Sequence, residues 1–164
     1  MSRYTKVHGD KDLLVLSHLR QDARIKLTDL SKKVRVPVST LFDMIRSFES
    51  HGVIRKHVSL VRFEDFGYRS KALIALSTHK SKRAKLLEVL EQCDHVNSLY
   101  KINNGWDFLA EVIFLGMKEV EDFIADIEEK VKLKGKKVFY IIDELKKEEF
   151  LSNPQKEQIL RRLP

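Results

Sequence analysis

One cysteine, Cys93, stands among 164 residues. No disulfide can therefore close within the chain, and six scattered histidines cannot build a Cys-based zinc site with it. No metal or other cofactor is expected. The six glycines form neither a phosphate-binding loop nor a dinucleotide fingerprint, and local spacing assembles no nucleophile, base and orienter. An enzyme is not the expected reading. No apolar run approaches the roughly 20 residues of a membrane span, and Met1 to Asp10 are polar, without the apolar stretch of a leader. The expected setting is the cytoplasm, with no membrane partner. What is present is 43% hydrophobic and 34% charged residues, enough apolar material for a packed core and too much for a disordered chain.

The formal charge of +7 is unevenly placed. Residues 1–62 hold 13 Lys and Arg against 6 Asp and Glu, whereas residues 63–164 hold 18 of each. The whole excess sits in the first third. A basic segment beside a neutral one suggests a polyanion-binding module joined to a part with another task. A solvated basic surface would carry the same charge, so the arrangement of these residues decides between the two.

Hydrophobic periodicity places three helices before residue 55. Leu13, Val15, Leu16 and Leu19 predict a mostly buried first helix, entered through Gly9, Asp10 and Asp12. Leu27, Leu30 and Val34 follow at helical spacing, with Lys32, Lys33 and Arg35 at the end where cations suit the helix dipole. A third stripe of Leu41, Ile45 and Phe48 runs up to Gly52, a stop signal. A short second helix, a break from Arg35 to Val38 and a third helix with small and polar residues opposite its apolar stripe make a helix-turn-helix. Ser39, Asp43, Arg46, Ser47 and Ser50 fall on the outward side. Val53 to Val61, carrying Arg55, Lys56 and His57, reads as a strand leaving the module, a wing able to reach phosphates. His51 and His57 flank its start, where surface histidines are the plainer explanation.

After residue 70 the pattern changes. Ala72–Leu76 suits a buried strand, and Leu86, Leu87 and Leu90 mark a helix. Val96–Ile102 and Phe108–Phe114 are strand candidates joined by Asn103, Asn104 and Gly105, residues that tolerate positive φ. Val120, Phe123, Ile124, Ile127 and Val131 define an amphipathic helix, and Val138, Tyr140 and Ile142 alternate after Gly135. The order βαββαβ is ferredoxin-like: one sheet face lies under two helices and the other needs a partner. Asn153 and Pro154 resemble an N-cap and first-turn pair opening a last helix or tail. The expected fold class is α+β, a winged helix-turn-helix followed by a ferredoxin-like domain. Its divisions are 1–54, a connecting segment 55–70, the sheet domain 71–151 and 152–164.

Asp12, Val15, Leu16, Leu19, Asp22, Ala23 and Arg24 reproduce, without a gap, the D-x-x-I-L-x-x-L-x-x-D-A-R spacing of the Lrp/AsnC (feast/famine) transcription regulators. Leu30, Val34, Val36, Ser39, Thr40, Ile45, Phe48 and the Gly52-Val53-Ile54 ending match that family's helix-turn-helix, and Gly105-Trp106-Asp107 is similar to its G-x-D turn. The resemblance spans about Asp10 to Leu151. There are departures: Pro37 and Val38 replace Ser-Pro at the third helix, leaving Ser39 to cap it, and Met44 stands where the family commonly has Arg. Asp43 occupies the middle of the outward face. Lys26 removes the usual oxygen at the second helix start, with Thr28 the nearest substitute.

The expectation that follows is a double-stranded-DNA-binding regulator. Its third helix enters the major groove, Lys32, Lys33, Arg35, Arg55 and Lys56 neutralise phosphate, and Ser39, Thr40, Asp43, Arg46 and Ser47 face the bases, Arg46 foremost. One module contacts one half-site, so a homodimer through the open sheet face is required. The resemblance implies octamers in addition. It also implies an amino-acid effector pocket at the G-x-D turn, with Gly105 letting backbone approach a ligand, Asp107 accepting from an α-ammonium group and Trp106 packing at the interface. The alternative for that turn is a hairpin whose Gly supplies positive φ and whose Asp caps it. Two other functions stay open. One is an effector-sensing oligomer with weak or no DNA binding, motivated by Asp43 and Met44; the other is an enzyme like the siroheme decarboxylases, which share the two-domain plan.

Overall fold

The structure, a computed structural model, describes residues 9–155. It divides into two compact units, one taking in the chain up to Leu60 with the segment from Leu145, the other running Val61–Glu144.

In the first unit helix α1 spans Asp10–Gln21, α2 Leu27–Val34 and α3 Val38–Ser50. Val15, Leu30, Val34, Val36, Leu41 and Phe48 are buried together, and Leu16, Leu19, Ile25, Met44, Ile45 and Ile54 pack against them. The turn between α2 and α3 is set by Arg35, a non-glycine residue in the left-handed region at φ 53°, whose N–H closes α2 by donating to Ser31 O. The Ser31 hydroxyl donates to Val36 O at 2.6 Å, and buried Val36 anchors the turn to the core. Packing and these bonds offset the strain of the left-handed residue, which is on the order of 1 kcal/mol.

Three expectations are corrected here. Ser39 does not cap α3: the cap is Pro37, whose φ of −55° already suits helix entry and which uses no side-chain bond. Leu41 N donates to Pro37 O at 3.0 Å, and Ser39 stays inside the helix facing out. The strand expected over Val53–Val61 does not form among the described residues. No second strand is available to pair with it there, and Val53, Val58, Leu60 and Val61 are exposed. Strand periodicity without a ladder partner leaves extended chain. The last strand also ends before Ile142, which is fully exposed beyond the residues that pair.

Lys26 opens α2 in an extended conformation with no side-chain cap, as its side chain requires, and Thr28 does not substitute. Lys26→Ser is expected to stabilise the first unit by about 1 kcal/mol. Thermal unfolding followed by helical circular dichroism reads it, and an unchanged midpoint would show that α2's start is held by packing alone.

The second unit opens with a 3-10 turn at Phe63–Phe66 and continues as β1 Ser70–Thr78, α4 Arg83–Glu91, β2 Val96–Lys101, β3 Phe108–Phe114, α5 Met117–Lys130 and β4 Leu133–Tyr140. The sheet order is β2-β3-β1-β4, with every neighbouring pair antiparallel, the ferredoxin-like arrangement. Alternation sends Ala72, Ile74 and Leu76 of β1 and Phe108, Ala110, Val112 and Phe114 of β3 to one face. There Leu86 and Leu90 of α4 and Val120, Ile124 and Ile127 of α5 cover them. On the opposite face, Leu73 lies level with Phe139, and Ala75 with Leu109 and then Tyr100. Tyr100 and Phe139 are exposed, so among the described residues nothing covers this part of the face. The proposed last helix after Asn153 and Pro154 extends outside the described residues; within them, Asn153 Oδ1 accepts from Gln155 N at 3.1 Å.

Candidate nucleic-acid interface

Helix α3 buries Leu41 and Phe48 and turns its other side outward. Ser39, Thr40, Asp43, Arg46, Ser47 and Ser50 are all exposed. Met44, by contrast, packs toward the core, so its replacing an arginine does not place an apolar residue on the outward stripe. The helix end is closed by His51, whose N–H donates to Ser47 O at 3.0 Å and whose Nδ1 lies 2.8 Å from the same oxygen. Ile54 N then donates to Phe48 O at 3.0 Å, and His57 Nε2 lies 3.0 Å from Glu49 Oε1. These contacts hold Arg55 and Lys56 beside the carboxyl end of α3, while the turn holds Lys32, Lys33 and Arg35 near its amino end. A 13-residue helix is about 20 Å long, so cations stand at both ends of the outward face.

These cations are not spent on internal partners. Among the described residues Lys32, Lys33, Arg35, Arg46, Arg55 and Lys56 form no ion pair, and all are exposed. Arg20 shows the contrast: it is held by Glu148, its Nη2 3.0 Å from the carboxylate, and by the Phe150 carbonyl. His18, on α1, has its pKa lowered by burial and by the nearby charge of Lys33. Beside α3, an open groove of about 430 Å³ is lined by Leu27, Phe42, Ile45, Arg46 and Glu49.

In the second unit the hairpin between β2 and β3 carries Asn104 at φ 59° and Gly105 at φ 87°. Trp106 is half-buried and lies over Gly135, where an added Cβ would come within 3.6 Å of the indole and 3.2 Å of Ser77 Oγ. Asp107 is buried and fully engaged: Oδ2 accepts from Thr78 N at 2.8 Å, and Oδ1 lies 2.6 Å from Arg83 Nε. Gly105 is exposed, with open space around it. Among the described residues no group of three or more His, Cys, Asp or Glu side chains could hold a metal ion, and no helix is long and apolar enough to cross a membrane.

Residues 10–55 match the winged helix-turn-helix DNA-binding family. An uncharacterised HTH-type transcriptional regulator of Pyrococcus horikoshii is 29% identical over 131 residues, 79% of this chain and 82% of that protein. The feast or famine regulatory protein of Mycobacterium tuberculosis, solved with L-methionine, superimposes with a TM-score of 0.78 at 21% identity, covering 84% of this chain and 94% of that one. An AsnC family transcriptional regulator from Agrobacterium tumefaciens gives 0.76 at 21% identity, over 85% and 93%. The chain carries a helix-turn-helix head of the winged DNA-binding kind at residues 10–55 and has the fold of the AsnC-family regulators.

Sequence reasoning overlooked two residues at the candidate sites. Arg83 pairs with Asp107, 24 positions further along the chain, a separation that no helical or strand period links. Phe42, beside Leu41 in an apolar stretch, reads as core but is 54% exposed on the wall of the groove.

Proposed function

We propose that the protein is a transcription regulator that places α3 in the major groove and grips phosphates with Lys32, Lys33, Arg35, Arg55 and Lys56. One observation carries this reading: unpaired cations flank both ends of a helix whose outward face is polar apart from Phe42. A basic surface that served only solubility would have no reason to place cations at both ends of one outward helix face. Ser39, Thr40, Asp43, Arg46 and Ser47 are the base-facing set, with Arg46 bonding to guanine. Asp43 lowers general affinity for phosphate while accepting from cytosine N4. This is a binding protein acting in the cytoplasm, not an enzyme.

The uncovered sheet face supports a homodimer, because Leu73, Leu109, Tyr100 and Phe139 otherwise leave a connected apolar surface in water. Two heads then meet two half-sites. Octamers of such dimers, and an amino-acid effector at Gly105, Trp106 and Asp107, complete the proposal; the M. tuberculosis neighbour was solved with L-methionine. With both Asp107 oxygens engaged, the exposed backbone at Gly105 is the part of that turn open to a ligand.

Selection of genomic fragments by the purified protein at several salt concentrations tests the reading. A steep negative dependence on salt and enriched palindromes are expected. A flat dependence would favour an effector-sensing oligomer that does not bind DNA, the reading that Asp43 keeps in play. For the turn, Gly105→Leu forces a side chain into φ 87°, a strain of about 1–3 kcal/mol. It is expected to abolish the assembly response to added amino acids while sparing the dimer. Light scattering with and without L-methionine reads both, and an unchanged response would move the effector site elsewhere.

A further inference from the structure

We propose that Phe42 is a specificity residue that reads the 5-methyl group of a thymine beside the base pair contacted by Arg46. This rests on the DNA-binding reading above and goes beyond its base-facing set, which is entirely polar. Ser39, Phe42, Asp43 and Arg46 stand at positions i, i+3, i+4 and i+7 of α3 and so share one stripe. Leu41 and Phe48, on the far side, are buried, whereas the Phe42 ring is 54% exposed. The ring is neither in the head's buried core nor among the residues packed against it. It stands at one wall of the groove with Leu27 and Ile45, beside Arg46.

The chemistry of a base-pair edge narrows what such a ring can recognise. Serine, aspartate and arginine meet donors and acceptors in the major groove, but a phenyl ring can offer only apolar contact. The apolar mark on that edge is the thymine methyl. Spacing adds a position. Phe42 and Arg46 are four residues apart, about 6 Å along the helix axis, or roughly two steps of 3.4 Å along the duplex. The thymine therefore lies within one or two base pairs of the guanine.

The test uses the full-length protein and a fragment it selects. Thymidine near the Arg46 position is replaced by deoxyuridine, which keeps every hydrogen-bonding group and removes only the methyl. Wild-type binding is expected to weaken about fourfold, the size of one methyl's transfer from water. Phe42→Ala should bind the two duplexes equally, while Phe42→Leu should keep part of the difference. Because Phe42 lies outside the buried core, both variants should keep wild-type circular dichroism and the same salt dependence on random DNA. A wild-type protein indifferent to the methyl, or a Phe42→Ala variant as sensitive as wild type, overturns the assignment while leaving DNA binding intact. Failure to select any DNA overturns the DNA-binding reading and this assignment with it.

Discussion

Arg46→Ala is expected to cost roughly tenfold to a hundredfold in discrimination at one base pair, the worth of a bidentate arginine on guanine at about 1–3 kcal/mol. Affinity for random DNA should change far less, because one of six unpaired cations contributes only its share of counterion release. Lys33→Ala should behave the opposite way. Every sequence should weaken alike, and the slope of log K against log salt should become shallower by about 0.9, the value of one phosphate contact. The argument rests on place: Arg46 lies in the middle of the outward stripe, Lys33 at the edge of the module in the last turn of α2. Titrating both variants against a selected and a scrambled duplex at several salt concentrations separates the effects. If neither substitution changes binding, the outward face of α3 is not the face that meets DNA.

The parts of this protein that were legible in its sequence are those set by local period. Leu27, Leu30 and Val34 mark α2 because a helix brings such positions to one side, and the unbroken apolar run Ala72–Leu76 marks β1 as a buried strand. The errors arose where the third dimension decides. Val53–Val61 reads as a strand, yet a strand is a property of pairs, and among the described residues no segment pairs with it. Met44 and Phe42 differ by two positions in one helix and are both apolar; only the direction of the core makes one a packing residue and the other a surface one. Ser39 has the chemistry of a cap, but Pro37 starts the helix without it. The cationic face was half legible. Charge counting found the excess in the first third, whereas the absence of internal partners for those cations had to be read from coordinates.

The same division between local and distant information governs Asp107, whose replacement carries the largest expected cost in stability. The resemblance to the G-x-D turn implied that it accepts from a ligand, with a hairpin cap as the alternative. The structure gives it internal work: it is only 8% exposed, accepts from the buried Thr78 N–H at 2.8 Å and pairs with Arg83 at 2.6 Å. Its own N–H donates to Leu76 O at 2.9 Å, so the residue ties the end of the β2–β3 hairpin to the end of β1. In Asp107→Ala the Thr78 N–H loses its acceptor inside the protein, a penalty of about 1–3 kcal/mol. Arg83 is half exposed and adds at most about 1 kcal/mol. A loss of about 2–3 kcal/mol in a unit of this size lowers Tm by roughly 10 °C or more. Asp107→Asn keeps an oxygen for Thr78 and gives up only the charge facing Arg83, so it should recover most of that loss. Melting both variants without any amino acid present distinguishes the two roles. A residue needed only to hold an effector would melt like wild type in either form, whereas a residue that holds the hairpin separates alanine from asparagine before any ligand is added.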